Sequence, residues 1–323
     1  MHIPDNYLSP STCAVMFAVM VPVWMRASKK VKKEITKKKL PVLGVCSAFS
    51  FLIMMFNVPL PGGTTGHAVG ATLAAILLGP YAAVICVTIA LLIQALFFGD
   101  GGILAFGANT FNMAFVMPFV GYTVYSFIKS RMKSAKGDYI PAFIGAYVGI
   151  VTAALIASIE FGIQPMLFRD VNGAALYCPY GLNVSIPAMV LPHLLIGLIE
   201  GGITAAVLAY VRKVSPGAVY ENKPSARKPL YGLLILLILL CPIGLLAQGT
   251  AWGEWGSEEI KGIVGYIPEA FKNGFNYNAL ASDYAISGIN DIAGYIISAV
   301  GGVAIILILV KLLSSSRKEN NNS

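Results

Sequence analysis

The sequence predicts an all-α polytopic membrane protein, a seven-helix bundle followed by two C-terminal transmembrane helices. The mean hydropathy is +0.74, and only 12% of residues are charged, against roughly 25% in soluble domains. A membrane-spanning helix needs about 20 mainly apolar residues. Nine segments meet this description: 9–25, 40–58, 67–79, 81–98, 106–128, 139–162, 185–211, 230–247 and 291–313.

The basic residues orient these segments. Of the 23 lysines and arginines, 20 fall in four segments: 8 in 26–39, 4 in 129–136, 5 in 212–228 and 3 in 311–323. With nine spans and the N-terminus outside, all four lie on the cytoplasmic side, as the positive-inside bias requires. We therefore predict a multi-pass protein of the cell membrane with a cytoplasmic C-terminus. Its net charge of +8 indicates contact with anionic membrane lipid, not with nucleic acid.

The third segment is short, but the charge distribution supports it. If residues 67–98 crossed the membrane only once, Lys129 and Arg131 would lie outside. We therefore predict that 67–98 forms a hairpin, which breaks at Gly79-Pro80 because proline cannot continue a helix without losing a hydrogen bond.

Composition divides the chain into two membrane domains. Residues 1–213 hold seven spans joined by short links, and 214–229, which are basic and rich in proline, predict a cytoplasmic linker. Residues 230–313 hold two spans around an acidic extracytoplasmic loop, 248–290. The polar end of the chain, 314–323, is expected to be a disordered tail.

The first two residues and one later histidine suggest a metal site. The α-amine of Met1, the main-chain nitrogen of His2 and the His2 imidazole can bind one ion through fused five- and six-membered rings. His67, in the glycine-rich sequence 62–67, can supply a fourth nitrogen. This donor set suits Ni(II) or Cu(II), and also Co(II), better than a hard cation.

Four further polar residues accompany these ligands. Asp5, Gln94, Asp100 and Asn109 all fall at the outer end of the predicted spans, so they are candidates for a second shell around the ion. Polar groups of this kind are costly near the membrane and are functional candidates by default.

Three other ionisable residues support an alternative function. Glu160, His193 and Glu200 could act as proton-linked groups of an ion-coupled secondary metal transporter. His193 and Glu200 are seven residues apart and share a helix face, but they differ in depth by about 10 Å. A structural reading is also open: a buried histidine bonded to main chain and a glutamate that caps or pairs within the bundle. Glu160, near the end of the sixth span, is expected to be solvated.

Several catalytic signatures are absent from the sequence. It contains no GxxxxGK[ST] phosphate loop, no HExxH and no GxSxG, so we expect a transporter subunit that is not an enzyme and does not hydrolyse ATP. A membrane enzyme built on Asp100, Asn109 and His193 is a third hypothesis, weakened by the depth of His193. Transport against a gradient would need an ATPase partner or an ion gradient.

Two sets of motifs stand out in the sequence. Those in the first domain are Met1-His2-Ile3-Pro4-Asp5, Gly66-His67, Leu78-Gly79-Pro80, residues 94–102 with Gly107-Ala108-Asn109, and residues 193–201. They resemble the motifs of a known family, the CbiM/NikM cobalt/nickel substrate-capture subunits of energy-coupling-factor transporters. Asn6 stands where that family has glycine, and asparagine also tolerates a left-handed conformation.

The motifs in the second domain are residues 249–256 and Asp283-Tyr284-Ala285. Through them residues 230–313 are similar to the two-span accessory subunit CbiN/NikN, although its Pro-Asp-Gly-Leu-Glu signature is absent.

The resemblance implies a role for the matched positions of the first domain. Residues 1–213 would capture the metal through Met1, His2 and His67, with Ni(II) or Co(II) as transported substrate and no permanently bound cofactor. It also implies three partners outside this chain: a transmembrane coupling subunit and two cytoplasmic ATPase subunits.

Overall fold

The computed structural model describes residues 1–36, 39–132, 138–219, 226–247 and 249–315, and nearly all of its regular structure is helical. This confirms the predicted fold class. The first seven helical rods are α1 (Pro10–Glu34), α2 (Leu40–Met54), α3 (Ala71–Leu78), α4 (Pro80–Ile93), α5 with α6 (Phe106–Asn109 and Met117–Arg131), α7 (Tyr139–Leu167) and α8 (Leu182–Val214). The remaining helices are α9 (Lys228–Leu240), α10 (Ser257–Val264), α11 (Glu269–Asn273) and α12 (Asp291–Ser315).

The first helix begins where its sequence provides a cap. Ser9 Oγ accepts a hydrogen bond from Thr12 N at 3.1 Å, and Pro10 occupies the first turn, where its missing N–H costs nothing. The helix then continues to Glu34, well past the predicted end at residue 25. The first part of the basic segment is therefore helical.

Two predicted spans are shorter than expected. Seven helices in the described ranges are long and apolar enough to cross a membrane, and α2 and α3 are not among them. The 15 residues of α2 extend about 22 Å, and the eight of α3 about 12 Å, against a hydrocarbon thickness of about 30 Å. The prediction of one continuous helix over 67–79 was wrong. Residues 67–70 precede α3 as non-helical chain, because Gly70 has a φ of 74° that a right-handed helix does not allow.

The predicted hairpin is present at Gly79-Pro80. Gly79 has a φ of 89°, in a region open to glycine, and Pro80 starts α4. The two ends of segment 67–98 return to the same place, since His67 and Asp100 both lie within 3.2 Å of His2. Four non-helical residues add at most about 13 Å to the roughly 12 Å of α3. The segment 67–78 can therefore extend about as far as α4, whose 14 residues span about 21 Å.

Short π-helical stretches, Gln94–Phe98 and Thr110–Val116, extend α4 and join α5 to α6. Such wide turns occur often at functional sites. The glycines of α6 and α7 let these helices approach closely: a Cβ added to Gly149 would lie 2.8 Å from the carbonyl oxygen of Met117.

A small β-hairpin connects α2 to the non-helical segment before α3. Its strands, β1 (Val58–Leu60) and β2 (Thr64–Gly66), pair antiparallel with Val58 opposite Gly66. This hairpin delivers the chain directly to His67.

The C-terminal helices pack against α2. Tyr295, on α12, donates from its hydroxyl to the carbonyl oxygen of Met55 at 2.8 Å, and a Cβ added to Gly44 on α2 would lie 3.3 Å from Leu307 Cδ2 on α12. Residues 220–225 of the predicted linker and 316–323 of the predicted tail lie outside the described residues, so the domain boundaries stay predictions.

Candidate metal centre

The first three residues run into the interior of the bundle. Met1, His2 and Ile3 are 2%, 2% and 0% exposed. Asn109 Oδ1 accepts from Ile3 N at 2.7 Å, and Asn109 Nδ2 donates to Ile3 O at 2.9 Å. Gly102 N donates to the same carbonyl oxygen at 2.9 Å. The predicted residue Asn109 therefore fixes the main chain immediately after His2.

Asp5 and Asn6 connect this segment by hydrogen bonds to loops from two other parts of the chain. The Asp5 carboxylate accepts from the main-chain nitrogens of Ile103, Leu104 and Ala105 at 2.9, 2.8 and 3.3 Å. Asn6 has a φ of 72°, the left-handed conformation expected of it. Its side chain donates to Phe275 O at 2.8 Å and accepts from Phe275 N at 2.9 Å.

His67 comes from the segment between β2 and α3, which is held by hydrogen bonds from two helices. Glu200, which is 0% exposed, accepts from Val69 N at 2.7 Å and from Gly70 N at 3.0 and 3.1 Å. Ser50 Oγ on α2 donates to Val69 O at 2.6 Å. We call residues 67–70 with these contacts the His67 segment. These hydrogen bonds hold the main chain next to His67, and so they fix the position of its imidazole relative to the N-terminus.

The two predicted imidazoles meet at the interior end of the N-terminal segment. His67 Nε2 lies 3.2 Å from His2 Nδ1, and the ring centroids are 5.0 Å apart. Burial, followed by the positive charge of the N-terminal amine, lowers the pKa of His2 from 6.5 to about 4. The His2 ring is therefore neutral at pH 7 and has a lone pair available for a cation.

Asp100 contacts the same nitrogen of His2 that His67 contacts, and Gln94 contacts Asp100. Asp100 Oδ1 is 3.1 Å from His2 Nδ1, and burial raises the pKa of Asp100. Because the imidazole is neutral, this contact is a hydrogen bond and not a full ion pair. Gln94 Nε2 donates to Asp100 Oδ2 at 3.0 Å.

Gly101 allows the loop to pass close to His2. Its φ is 85°, and an added Cβ would lie 3.1 Å from His2 Cδ2 and 3.2 Å from Asn109 Nδ2. A side chain at this position would therefore be strained and would press on the ring that we predict as a ligand.

The C-terminal region also reaches this centre. The Met1 amine donates to Glu254 Oε1 at 3.2 Å, and Trp252 N donates to Thr64 Oγ1 on β2 at 2.9 Å. The Tyr284 hydroxyl donates to Asp100 Oδ2 at 2.5 Å. The loop between α9 and α12 thus covers the N-terminus and contacts predicted second-shell residues.

The donors at this centre are a mixture of side-chain and main-chain nitrogens. Among the residues described, no group of three or more histidine, cysteine, aspartate or glutamate side chains could hold a metal ion. A site here would therefore need the amine and amide nitrogens of the chelate as well as the imidazoles of His2 and His67. Metal binding itself stays a prediction.

No hydrogen bond joins the three residues of the alternative function to one another within the described part of the chain. Glu160 is 5% exposed and accepts from Asn112 Nδ2 at 2.8 Å. His193 Nδ1 lies 2.7 Å from Met189 O, and Glu200 bonds to the His67 segment. The structural reading therefore describes these residues. The expectation that Glu160 is solvated was wrong, because α7 runs on to Leu167 and the π-helical turn places Asn112 against it.

Sequence reasoning missed Glu254 and Tyr284, and it did not connect Glu200 to His67. Glu254 and Tyr284 lie in the two motifs on which the resemblance of the C-terminal region rests. Their place in these motifs was the one sign in the sequence that they could belong to the site. Their contacts join residues 253 and 184 positions apart, a distance that no local pattern bridges.

Comparison with known proteins agrees with this architecture. Residues 2–218 match the CbiM model, described as the cobalt uptake substrate-specific transmembrane region, and residues 227–318 match the PDGLE domain. The chain is 50% identical over 322 residues to the probable fused nickel transport protein LarMN of Lactiplantibacillus plantarum, covering 96% of this chain and 97% of that protein. It is 43% identical over 340 residues to the fused nickel transport protein NikMN of Rhodobacter capsulatus, covering 98% of each.

A solved structure is similar to the first two thirds of the molecule. The crystal structure of a truncated transition metal transporter is 57% identical, with a TM-score of 0.63, and covers 66% of this chain and 99% of that one. The sequence match, the helical bundle and the buried N-terminus lead to one conclusion: the chain belongs to the CbiM family and carries a fused PDGLE domain, as the resemblance predicted.

Proposed function

We propose that this protein is the substrate-specific membrane component of an energy-coupling-factor importer for Ni(II) or Co(II). The ion is captured by four nitrogens: the Met1 amine, the His2 main-chain nitrogen, His2 Nδ1 and His67 Nε2. Neither the coupling subunit nor the two ATPase subunits are part of this chain, and the absence of a phosphate loop from its sequence supports their supply by partners.

One distance carries the proposal. Imidazole nitrogens bond to metals of this class at about 2.0 Å, so two that sit at right angles around one ion are about 2.8 Å apart. His2 Nδ1 and His67 Nε2 are 3.2 Å apart, which is a few tenths of an ångström from this separation. The pair therefore needs only a small movement to accept the ion.

The chemistry of the donors and the names of the relatives favour nickel over cobalt. Four nitrogens in a plane suit Ni(II), and the two full-length relatives at 50% and 43% identity are named nickel transport proteins. The family description names cobalt, so Co(II) remains the second substrate of the proposal.

The charge distribution supports an orientation for this function. The N-terminus and the metal centre face the outside, and the C-terminus lies in the cytoplasm. Residues 1–213 form the capture domain, 214–229 the linker and 230–313 the accessory domain, a division supported by the two family matches at 2–218 and 227–318.

Titration calorimetry of the full chain with Ni(II) tests this function. Replacing His67 with alanine removes one ligand, and about ten glycine and serine residues placed ahead of Met1 carry the amine away from the chelate. A single added residue is unsuitable, because it would place the histidine third and create another chelate. Glu160→Gln is the control, since this buried glutamate bonds to Asn112 and not to the amine or either proposed imidazole ligand.

We expect the first two variants to lose high-affinity binding and the control to keep it. If His67→Ala and the extended protein both bind Ni(II) as tightly as the natural sequence, the proposed chelate is wrong.

A further inference from the structure

Tyr284 of the fused domain is held in a fixed position beside the metal centre. It is 5% exposed, its ring stacks on that of Phe98 with centroids 4.8 Å apart, and its carbonyl oxygen accepts from Ser298 Oγ at 2.9 Å. Its φ of 63° places it in the left-handed region that a bulky side chain rarely adopts. Strain of this kind is retained where the surrounding structure demands it.

The Tyr284 hydroxyl determines which way the Gln94 amide points. A hydroxyl has one hydrogen, and that of Tyr284 goes to Asp100 Oδ2 at 2.5 Å. The Gln94 atom 2.8 Å from the same hydroxyl must therefore be a donor. That NH₂ group also donates to Asp100 Oδ2 at 3.0 Å, so Nε2 has two acceptors and Oε1 must face the other way.

Two buried atoms near this network lack partners. Within the described part of the chain, neither Gln94 Oε1 nor His2 Nε2 has a hydrogen-bond partner. Both side chains contact the Asp100 carboxylate: Gln94 Nε2 lies 3.0 Å from Oδ2, and His2 Nδ1 lies 3.1 Å from Oδ1. An amide oxygen that lacks a donor and a ring nitrogen that can carry a hydrogen are able to satisfy each other.

Metal binding would provide the hydrogen that links these two atoms. An imidazole that binds an ion through Nδ1 and stays neutral carries its hydrogen on Nε2. Metal-bound histidines almost always donate this other N–H to an oxygen acceptor, which fixes the tautomer and the ring orientation.

We propose that Tyr284 is a positioning residue for metal capture: with Asp100, its hydroxyl orients Gln94 so that Oε1 accepts from His2 Nε2–H, and the ion then takes the place of the hydrogen that Nδ1 shares with Asp100 in the metal-free protein. This role rests on the proposed function, since it assumes that His2 Nδ1 is a ligand. The fused domain would then set the tautomer of a ligand that lies at the far end of the sequence.

The test compares two buried tyrosines of the full chain. Tyr284→Phe removes the hydroxyl and keeps the ring. Tyr295→Phe is the matched control, because its ring lies 5.3 Å from that of Tyr284 while its hydroxyl bonds to Met55 O. The Kd for Ni(II) is measured by competition with a chromophoric chelator. We expect Tyr284→Phe to weaken binding by about 10- to 100-fold, the usual cost of losing an outer-shell partner, and Tyr295→Phe to change it by less than about twofold.

A double-mutant cycle separates positioning from general damage. Gln94→Met removes the acceptor and should weaken binding to a similar extent, and adding Tyr284→Phe should then change little, because both act through one hydrogen bond. If the two effects multiply, the inference is overturned. If Tyr284→Phe fails to fold, Gln94→Met alone decides, and an unchanged Kd overturns the inference.

His67→Ala distinguishes the two levels of the argument. Loss of binding in His67→Ala with an unchanged Kd in Tyr284→Phe overturns the positioning role and leaves the proposed function intact. Full binding in His67→Ala overturns the proposed function itself, whatever the tyrosine variant does.

Discussion

Glu200 offers a direct test of how the bundle presents His67. It lies on α8, at least 130 residues from the His67 segment, yet its carboxylate accepts from Val69 N at 2.7 Å and from Gly70 N at 3.0 and 3.1 Å. Val69 and Gly70 are both buried, so water cannot replace the lost acceptor. We predict that Glu200→Ala weakens Ni(II) binding although Glu200 is not a ligand.

The magnitude follows from the two main-chain groups left unpaired. Each buried N–H without a partner costs about 1–3 kcal/mol, so Glu200→Ala destabilises the observed conformation of the His67 segment by about 2–6 kcal/mol. Metal binding must restore that conformation, and about 1.4 kcal/mol corresponds to a tenfold change in affinity. The lower limit therefore predicts a loss of at least about 30-fold. Glu200→Gln keeps one acceptor oxygen and should lose about tenfold or less.

The assay is Ni(II) titration of the full chain, with thermal unfolding of the metal-free protein measured alongside. Glu160→Gln is the matched control, because Glu160 is another buried glutamate of the bundle, and it bonds to Asn112 and not to the His67 segment. The reasoning is refuted if folded Glu200→Ala binds Ni(II) with unchanged affinity, or if Glu160→Gln loses as much affinity as Glu200→Gln.

Two further predictions concern His2 and the loop beside it. The pKa of His2 is lowered to about 4, so between pH 6.5 and 4 the unfolded chain takes up a proton that the folded protein does not, and stability falls as the pH falls. At about 1.4 kcal/mol for each pKa unit, His2 alone should make the metal-free protein about 2 kcal/mol less stable at pH 5 than at pH 7.5. Thermal unfolding of His2→Gln should lack this contribution, and an equal pH dependence in both proteins would contradict it. Gly101→Ala should cost about 1 kcal/mol from its positive φ and also weaken Ni(II) binding in a chelator competition, because the new Cβ meets the His2 ring. Gly173→Ala has a similar φ of 84° but open space around it, so it should leave the affinity unchanged, and equal binding losses in both variants would argue against a specific effect on His2.

The sequence was most informative about features that depend on the membrane. Hydropathy predicted the helical rods, and the charge distribution predicted the hairpin at Gly79-Pro80. It also predicted that His2, His67 and Asp100 lie at one end of the bundle, which is where the structure brings them together. These features follow from the cost of burying charge and from the length of a helix, which act on the sequence directly.

Other features depend on contacts between distant segments. Helical spacing indicated that His193 and Glu200 share a face, but it contained no sign that the main chain of Val69 would lie against that face. The shortening of α3 depends on the left-handed Gly70, whose Cβ position is occupied by the Phe49 ring. The Glu200 contact and the shortening of α3 both depend on which distant segment packs against the helix, and hydrophobic periodicity carries no information about that segment.

The contact between the Met1 amine and Glu254 joins the first residue of the chain to the loop between α9 and α12 of the same polypeptide. If the same groups belonged to separate proteins, their encounter would be bimolecular and would depend on how much of each protein the cell makes. Covalent linkage makes it intramolecular, with an effective concentration that reaches the millimolar range for short flexible connections. Every copy of the Met1 amine is thus synthesised together with its own carboxylate partner, in a fixed ratio of one to one.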